Sequence, residues 1–152
     1  MDADAADNGN GQRLADYLAI ADLVARLAHM ADMGHDLDQY LDCLTEDAVW
    51  EFPGNPSLGL APTRSEGRRQ IAADRATRRI DRFQGPGTGS RHLNTTLTVQ
   101  VRGSDAAEAE SCWLFVAAGP DGPVVRAMGA YQDRFRRTDG RWKLANRRII
   151  AG

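Results

Sequence analysis

The sequence predicts an α+β domain in which helices cover one face of a long antiparallel sheet. Three observations predict it. Residues from Gln12 to about Phe83 carry mostly helical spacing of apolar positions, interrupted by one short strand. After the Gly-rich run Gln84-Gly-Pro-Gly-Thr-Gly89 the pattern changes to four long strand-like segments separated by hairpin signals. No internal repeat or linker divides the 152 residues, a length that fits one core.

The start of the chain, Met1-Asp-Ala-Asp-Ala-Ala-Asp-Asn-Gly-Asn-Gly11, is small, polar and acidic. It reads as a disordered tail over residues 1–12, leaving one domain over 13–152. Helical spacing runs from Gln12 to about Met33. Leu14, Leu18, Ala21, Ala25, Ala28 and Asp32 fall on one stripe, with Tyr17, Ile20, Val24, Leu27 and Ala31 beside it. Gly34 stops this helix. Asp36 is placed to cap a short helix over Leu37–Leu44, with Tyr40, Leu41 and Leu44 inward. Ala48-Val-Trp-Glu-Phe52 reads as a strand ended by Pro53-Gly54, and Asn55 to Thr63 as a loop or short strand pair. Gly67 to Phe83 reads as a helix with Ile71, Ala72, Ile80 and Phe83 on a thin apolar side.

The strands follow at about His92–Arg102, Ala107–Ala118, Val124–Arg137 and Arg141–Ile150. Gly103-Ser-Asp105, Gly119-Pro-Asp-Gly122 and Thr138-Asp-Gly140 are the turns. Strands of this length twist and curl, so one face becomes concave. The first strand alternates: Leu93, Leu97, Val99 and Val101 on one side, His92, Asn94, Thr96 and Gln100 on the other. The late strands are apolar on both faces, with Trp113 and Phe115 set against Leu114 and Val116. One face covers the helices and the other needs cover, which predicts a homo-oligomer, a dimer or a trimer. Trp113 and Phe115 read as core or as part of that interface.

Composition excludes several classes. Hydrophobic residues make up 42% and charged residues 26%, and the net charge of -2 offers no field for nucleic acid or anionic lipid. The arginine runs near residues 75–79 and 134–137 have acidic neighbours and read as solvated faces. Two isolated cysteines, Cys43 and Cys112, make neither a disulfide framework nor a zinc site. No signal peptide or long apolar run is present, which predicts a cytoplasmic protein with no membrane contact. No metal or organic cofactor is implied.

Two residues stand out chemically. Asp32 is a carboxylate at the C-terminal end of an apolar stripe, where the helix dipole is negative and small alanines leave room. Either it ends the helix facing water, or it is buried and needs a cation or strong donor opposite. His92 opens a strand beside a glycine-rich loop. It is the natural base for removing a proton from carbon near neutral pH. An Asp on the second ring nitrogen would fix its tautomer.

The segments Ala19-Ile-Ala-Asp-Leu23 leading to Asp32, Asp38-Gln-Tyr-Leu41, Leu44-Thr-Glu-Asp-Ala-Val-Trp50 and Gly67-Arg68 come first in a wider pattern. Arg91-His-Leu-Asn-Thr95, Tyr131-Gln-Asp-Arg134, Asp139-Gly-Arg-Trp142 and Arg147-Arg148 complete it. In this order, over residues 14 to 150, they resemble the SnoaL-like group of the nuclear transport factor 2-like (NTF2-like) superfamily. The resemblance implies a cone-shaped curved sheet wrapped around a deep pocket and roofed by N-terminal helices. Scytalone dehydratase and the lindane dehydrochlorinase on this fold pair a helix-end Asp with a His at the start of the long sheet, positions that Asp32 and His92 match. Trp50 falls where the dehydrochlorinase has a pocket tryptophan. Tyr131, Arg148 and His29 are further candidates for substrate contact, with core, surface or rim as their bland alternatives. The tyrosine–aspartic acid oxyanion hole of the ketosteroid isomerases has no match.

Three functions remain open at this point. One is a small-molecule lyase that uses Asp32 and His92 on an apolar, aromatic or polyketide-like substrate. Another is a polyketide-type cyclase or isomerase that uses the same pair. The last is a non-catalytic binding or assembly domain, whose pocket would be filled by side chains.

Overall fold

The computed structural model describes the backbone of residues 3–152 and the side chains of residues 9–152. Helix α1, Ala3–Asp32, is followed by α2, Leu37–Asp42, and strand β1, Leu44–Phe52. A 3-10 turn at Pro56–Leu58 and strand β2, Thr63–Glu66, lead into α3, Gly67–Ile80. Four long strands complete the chain: β3, Arg91–Val101; β4, Ala106–Gly119; β5, Gly122–Thr138; and β6, Arg141–Ala151. All six strands form one sheet in the order β2-β1-β6-β5-β4-β3. Strands β3 to β6 are an antiparallel meander, as the hairpin signals predict. Strand β1 lies parallel to β6, so the sheet is mixed and not wholly antiparallel. The chain returns to β1 only after α3 and the meander, so no hairpin ties the two directions together.

Helix α1 begins at Ala3, so the segment expected to be a disordered tail is helical from Ala3 onward; Met1 and Asp2 lie outside the described residues. The helix runs through Gly9 and Gly11 in spite of their low helix propensity. The buried face is also not the stripe through Leu14 and Leu18, which are 60% and 57% exposed. It is the neighbouring row Ile20, Leu23, Val24, Leu27 and Ala31. Both rows have helical spacing, and the one with more large side chains removes more apolar area from water. Asp36 caps α2 as expected, accepting from the backbone N–H of Asp38 at 2.9 Å. Helix α2 stops at Asp42, and Leu44, fully buried, already belongs to β1.

Two bulges decide which side chains face the concave side. Pairing of β3 with β4 slips between Thr95 and Thr98, and Thr96 takes a left-handed backbone, φ 51°. One extra residue reverses the alternation. Before the bulge His92 and Asn94 face inward and Leu93 faces out; after it Leu97, Val99 and Val101 pack on the core. The strict alternation that placed Leu93 beside Leu97 is therefore broken. In β6, Phe135 pairs with Leu144 but Arg134 pairs with Asn146, so the strand gains a residue there. Trp142 and Leu144 face inward before the slip, and Arg147 and Ile149 after it. Arg148, expected on the face of Trp142 and Leu144, instead points outward.

The main core joins α1, α2, α3 and the inner faces of β1, β4, β5 and β6 through residues such as Leu27, Tyr40, Leu44, Ile71, Phe135 and Leu144. A second, smaller cluster, Trp113, Phe115 and Tyr131, lies further along the sheet. Between that cluster, the α3 helix and the segment before β2 the concave face stays open.

Candidate active site

The open region is a cavity of about 410 Å³. Aromatic side chains from three strands and a loop form much of its wall: Trp50, Trp113, Phe115, Tyr131 and Phe83. Phe83 stacks on Phe115 at 5.2 Å, and Trp113 stacks on Tyr131 at 5.7 Å. Trp113 and Phe115 are thus cavity walls and not interface residues. Gly129 sits opposite Trp113 in the sheet, where a Cβ would lie 2.7 Å from the indole, so its bare backbone gives that ring its room.

At one end of the cavity Asp32 meets His92. The carboxylate Oδ1 lies 2.7 Å from His92 Nδ1, and Oδ2 accepts the His92 backbone N–H at 2.5 Å. Asp32 is 2% exposed, so of the two sequence readings the structure shows the buried one. The partner it needs is supplied by β3, whose start passes the end of α1. A carboxylate only accepts, so Nδ1 carries the proton, and Nε2 is the ring nitrogen left to exchange a proton with a substrate. The ring of Phe115 lies 4.8 Å from the imidazole and holds it from the side. Burial pushes the Asp32 carboxyl up. The bonds from the His92 ring and backbone, the charge of His92 and the Gln84 amide outweigh this and hold it below the usual carboxylate range.

Gln84, from the Gly-rich run, completes the arrangement. Its Nε2 donates to Asp32 Oδ1 at 3.3 Å, and its Oε1 accepts from Arg75 at 3.0 Å. Arg75 in turn donates to the Tyr40 hydroxyl at 3.0 Å. Its guanidinium lies between two rings, 4.9 Å from the centre of Tyr40 and 4.6 Å from that of Trp50. Behind the aromatic wall Arg147 makes a two-pronged bond to Asp133, at 2.8 and 2.7 Å, with both side chains buried. It also lies 4.0 Å over the Tyr131 ring. Burial raises the Tyr131 hydroxyl above its ordinary pKa, against the lowering by Arg147 and Arg75.

Asp32, His92, Trp50 and Tyr131, all singled out by sequence, come together here. His29 and Arg148 do not. His29 is exposed on α1, one turn before Asp32. Arg148 is exposed on β6, where its Nε lies 3.9 Å from Glu51. Sequence reasoning missed Gln84, Arg75 and Arg147. Asp133 carried a signal for Arg147, since an acid on the inward face of a strand needs a cation beside it. Arg75 and Gln84 carried none, because nothing in a single sequence brings a helix arginine to a loop amide. Among the described residues no cluster of His, Cys, Asp or Glu could hold a metal ion. No helix among them is long and apolar enough to cross a membrane.

The profile of the SnoaL-like domain matches residues 12–148. The chain belongs to this family. No curated protein matches it. Solved structures do. An NTF2-like protein with a cystatin-like fold from Novosphingobium aromaticivorans is 24% identical, covers 99% of this chain and 91% of its own, and superposes with a TM-score of 0.82. A second protein from that organism, provisionally named an aromatic ring hydroxylase, is 29% identical over 91% of this chain and 90% of its own, with a TM-score of 0.69. A protein from Catenulispora acidiphila, solved in complex with S-DNPA, is 25% identical over 91% of this chain and 94% of its own, with a TM-score of 0.70. The SnoaL-like domain described here is therefore an NTF2-like fold whose concave face holds a histidine–aspartate pair.

Proposed function

We propose that this SnoaL-like domain is a small-molecule lyase, with His92 as the base and Asp32 as the residue that orients it. The observation that carries the reading is the 2.7 Å contact between Asp32 Oδ1 and His92 Nδ1 at the wall of an open cavity. His92 Nε2 takes a proton from a carbon next to a carbonyl, the freed electron pair forms the new double bond, and the leaving group departs with its own pair. Asp32 keeps the ring in the required tautomer and stabilises the imidazolium. If hydroxide leaves, it needs a proton, which water or the Tyr131 hydroxyl supplies. Arg148 has no part in this scheme, because it faces away from the cavity. A lyase of this kind uses neither metal nor organic cofactor, and the aromatic walls suit a small apolar, aromatic or polyketide-like substrate.

The family also contains polyketide cyclases and ring-hydroxylating dioxygenase β subunits. A cyclase or isomerase would use the same pair and return the proton instead of expelling a group. An assembly domain would have its concave face filled by side chains, unlike the open cavity here, whereas a non-catalytic ligand-binding domain would keep the cavity and show no turnover.

Exchange of carbon-bound protons into heavy water, followed by NMR over a panel of hydroxy-carbonyl compounds, tests the proposal. Exchange should fall about a hundred- to ten-thousandfold in His92→Ala, the usual worth of a positioned base. Enzyme-dependent exchange undiminished in that variant would show that His92 is not the base. Elimination product in the same tubes separates lyase from isomerase.

A further inference from the structure

The cavity holds more positive charge than its own carboxylates neutralise. Arg75 and Arg78, one turn apart on α3, both line it. Neither has a carboxylate within ion-pair distance among the described residues, whereas Arg147 close by is fully matched by Asp133. The two acids on the cavity wall, Glu51 and Asp74, leave part of that charge unmatched. Glu51 sits between Arg64, at 2.8 Å, and Arg148, at 3.9 Å. Asp74 accepts the Ser65 hydroxyl, and its charge favours the protonated form of Arg78 without closing an ion pair. Asp32 is taken by His92.

Arg75 is held as a rigid donor by Tyr40, Gln84 and the Trp50 ring. Arg78 is different. Its surroundings lower its pKa, first by burial and then by the Arg75 charge, yet the side chain stays exposed and lines the cavity. Its guanidinium lies 5.7 Å from the centre of the Phe83 ring. Two guanidiniums side by side at an aromatic cavity repel each other, and an anion between them removes that repulsion.

We infer that the ligand of this cavity is a planar aromatic carboxylate, its ring against Phe83, Phe115 and Trp113 and its carboxylate on Arg78 and Arg75. The guanidinium fork fits a carboxylate edge to edge, and a wall that carries Trp50, Phe83, Trp113, Phe115 and Tyr131 fits a ring better than a sugar or a phosphate ester. Gln84 bridges Arg75 to Asp32, so the anion lies one side chain away from the catalytic pair. The same interaction that binds the ligand would fix which carbon faces His92. This inference deepens the lyase proposal and takes from it only the statement that the ligand is a substrate.

Binding measured without turnover keeps the two claims apart. Titration calorimetry with 2-naphthoate and its neutral isostere 2-naphthamide is the direct test. The carboxylate should bind about ten- to a hundredfold more tightly than the amide, the range for charge-assisted hydrogen bonds. Arg78→Met should remove most of that preference, leaving the part Arg75 supplies, and should weaken the amide far less than the carboxylate; Arg78→Lys should restore part of it. Arg78 is the better variant because Arg75→Met also strands the Tyr40 hydroxyl. His92→Ala should retain the preference, so a failed proton-exchange assay would not touch this result. Equal affinity for the two probes, a preference undiminished in Arg78→Met, or no binding of either at millimolar concentration would overturn the inference.

Discussion

The 148 and 147 positions show how much one residue of register is worth. The two arginines are adjacent, yet one is half exposed beside Glu51 and the other lies buried against Asp133. Removing Arg147 leaves Asp133 as an uncompensated buried charge. Arg147→Met should therefore cost about 3–5 kcal/mol, while Arg148→Met should fall within about 0.5 kcal/mol of the parent. Chemical denaturation of the two variants checks both numbers. Replacing both members, Asp133→Leu with Arg147→Met, should recover much of the loss, because the penalty is the stranded charge and not the missing attraction. Asp32 gives a second prediction, in acid. Its folded-state pKa is depressed by His92 and Gln84, so its contribution is present above the unfolded pKa, near 3.8, and is lost as pH falls through the lower folded value. Thermal melts of the parent should drop through that acid window more steeply than those of Asp32→Asn. Parallel curves would mean that the carboxylate gains no net stabilisation from the pair.

At the scale of elements, the site is made by interruptions of regular structure. The Thr96 bulge lets one strand present His92 to the cavity and Leu97 to the core, and the slip in β6 turns Arg147 inward. This is where sequence reading stops. The long strands, their turns and the start of α2 were legible because apolar period, Asp-Gly turns and the Asp36 cap act locally. Asp32 and His92 stood out as a carboxylate on an apolar stripe and a histidine opening a strand, Tyr131 stood out on its strand face, and the resemblance paired the first two and added Trp50. A bulge has no comparable local signature here: Thr96 is β-branched, a poor choice for positive φ, and nothing in the spacing of Leu93 and Leu97 marks the break. The misplacement of Arg148 follows from the same cause. Gly129 is the counterpart, a missing side chain with a function. A Cβ there would lie 1.9 Å from the Ile150 carbonyl oxygen and 2.7 Å from the Trp113 ring. Gly129→Ala should cost about 1–3 kcal/mol by overpacking and push Trp113 toward the cavity. A lower melting temperature together with weaker ligand uptake is the expected result, and a variant as stable as the parent would show that the strands separate freely at this point.

Over the whole molecule, the concave side of the sheet is spent on the core and the cavity, and the convex side remains. There the register aligns Leu93 with Leu114 and Leu114 with Met128, an apolar row across three strands. Leu93 and Met128 are 51% and 56% exposed, and Val125, next to the row, is 58% exposed. Isolated exposed apolar side chains are ordinary, but a cross-strand row on a long sheet is a surface that water covers poorly. Pairing of β4 with β5 carries this face, so two copies can meet on it through backbone already held in the sheet. A self-complementary contact between two copies closes a dimer, which predicts a dimer ahead of a trimer. Light scattering at micromolar concentration should return twice the chain mass. Met128→Glu places a charge in the middle of the row and should shift the protein to monomer. His92 and Asp32 lie on the opposite side of the sheet, so proton exchange per chain should survive that change. A parent protein that is monomeric at micromolar concentration would refute the assembly. A dimer untouched by Met128→Glu would move the interface to another face, with the exposed Leu14, Tyr17 and Leu18 of α1 as the next surface to test.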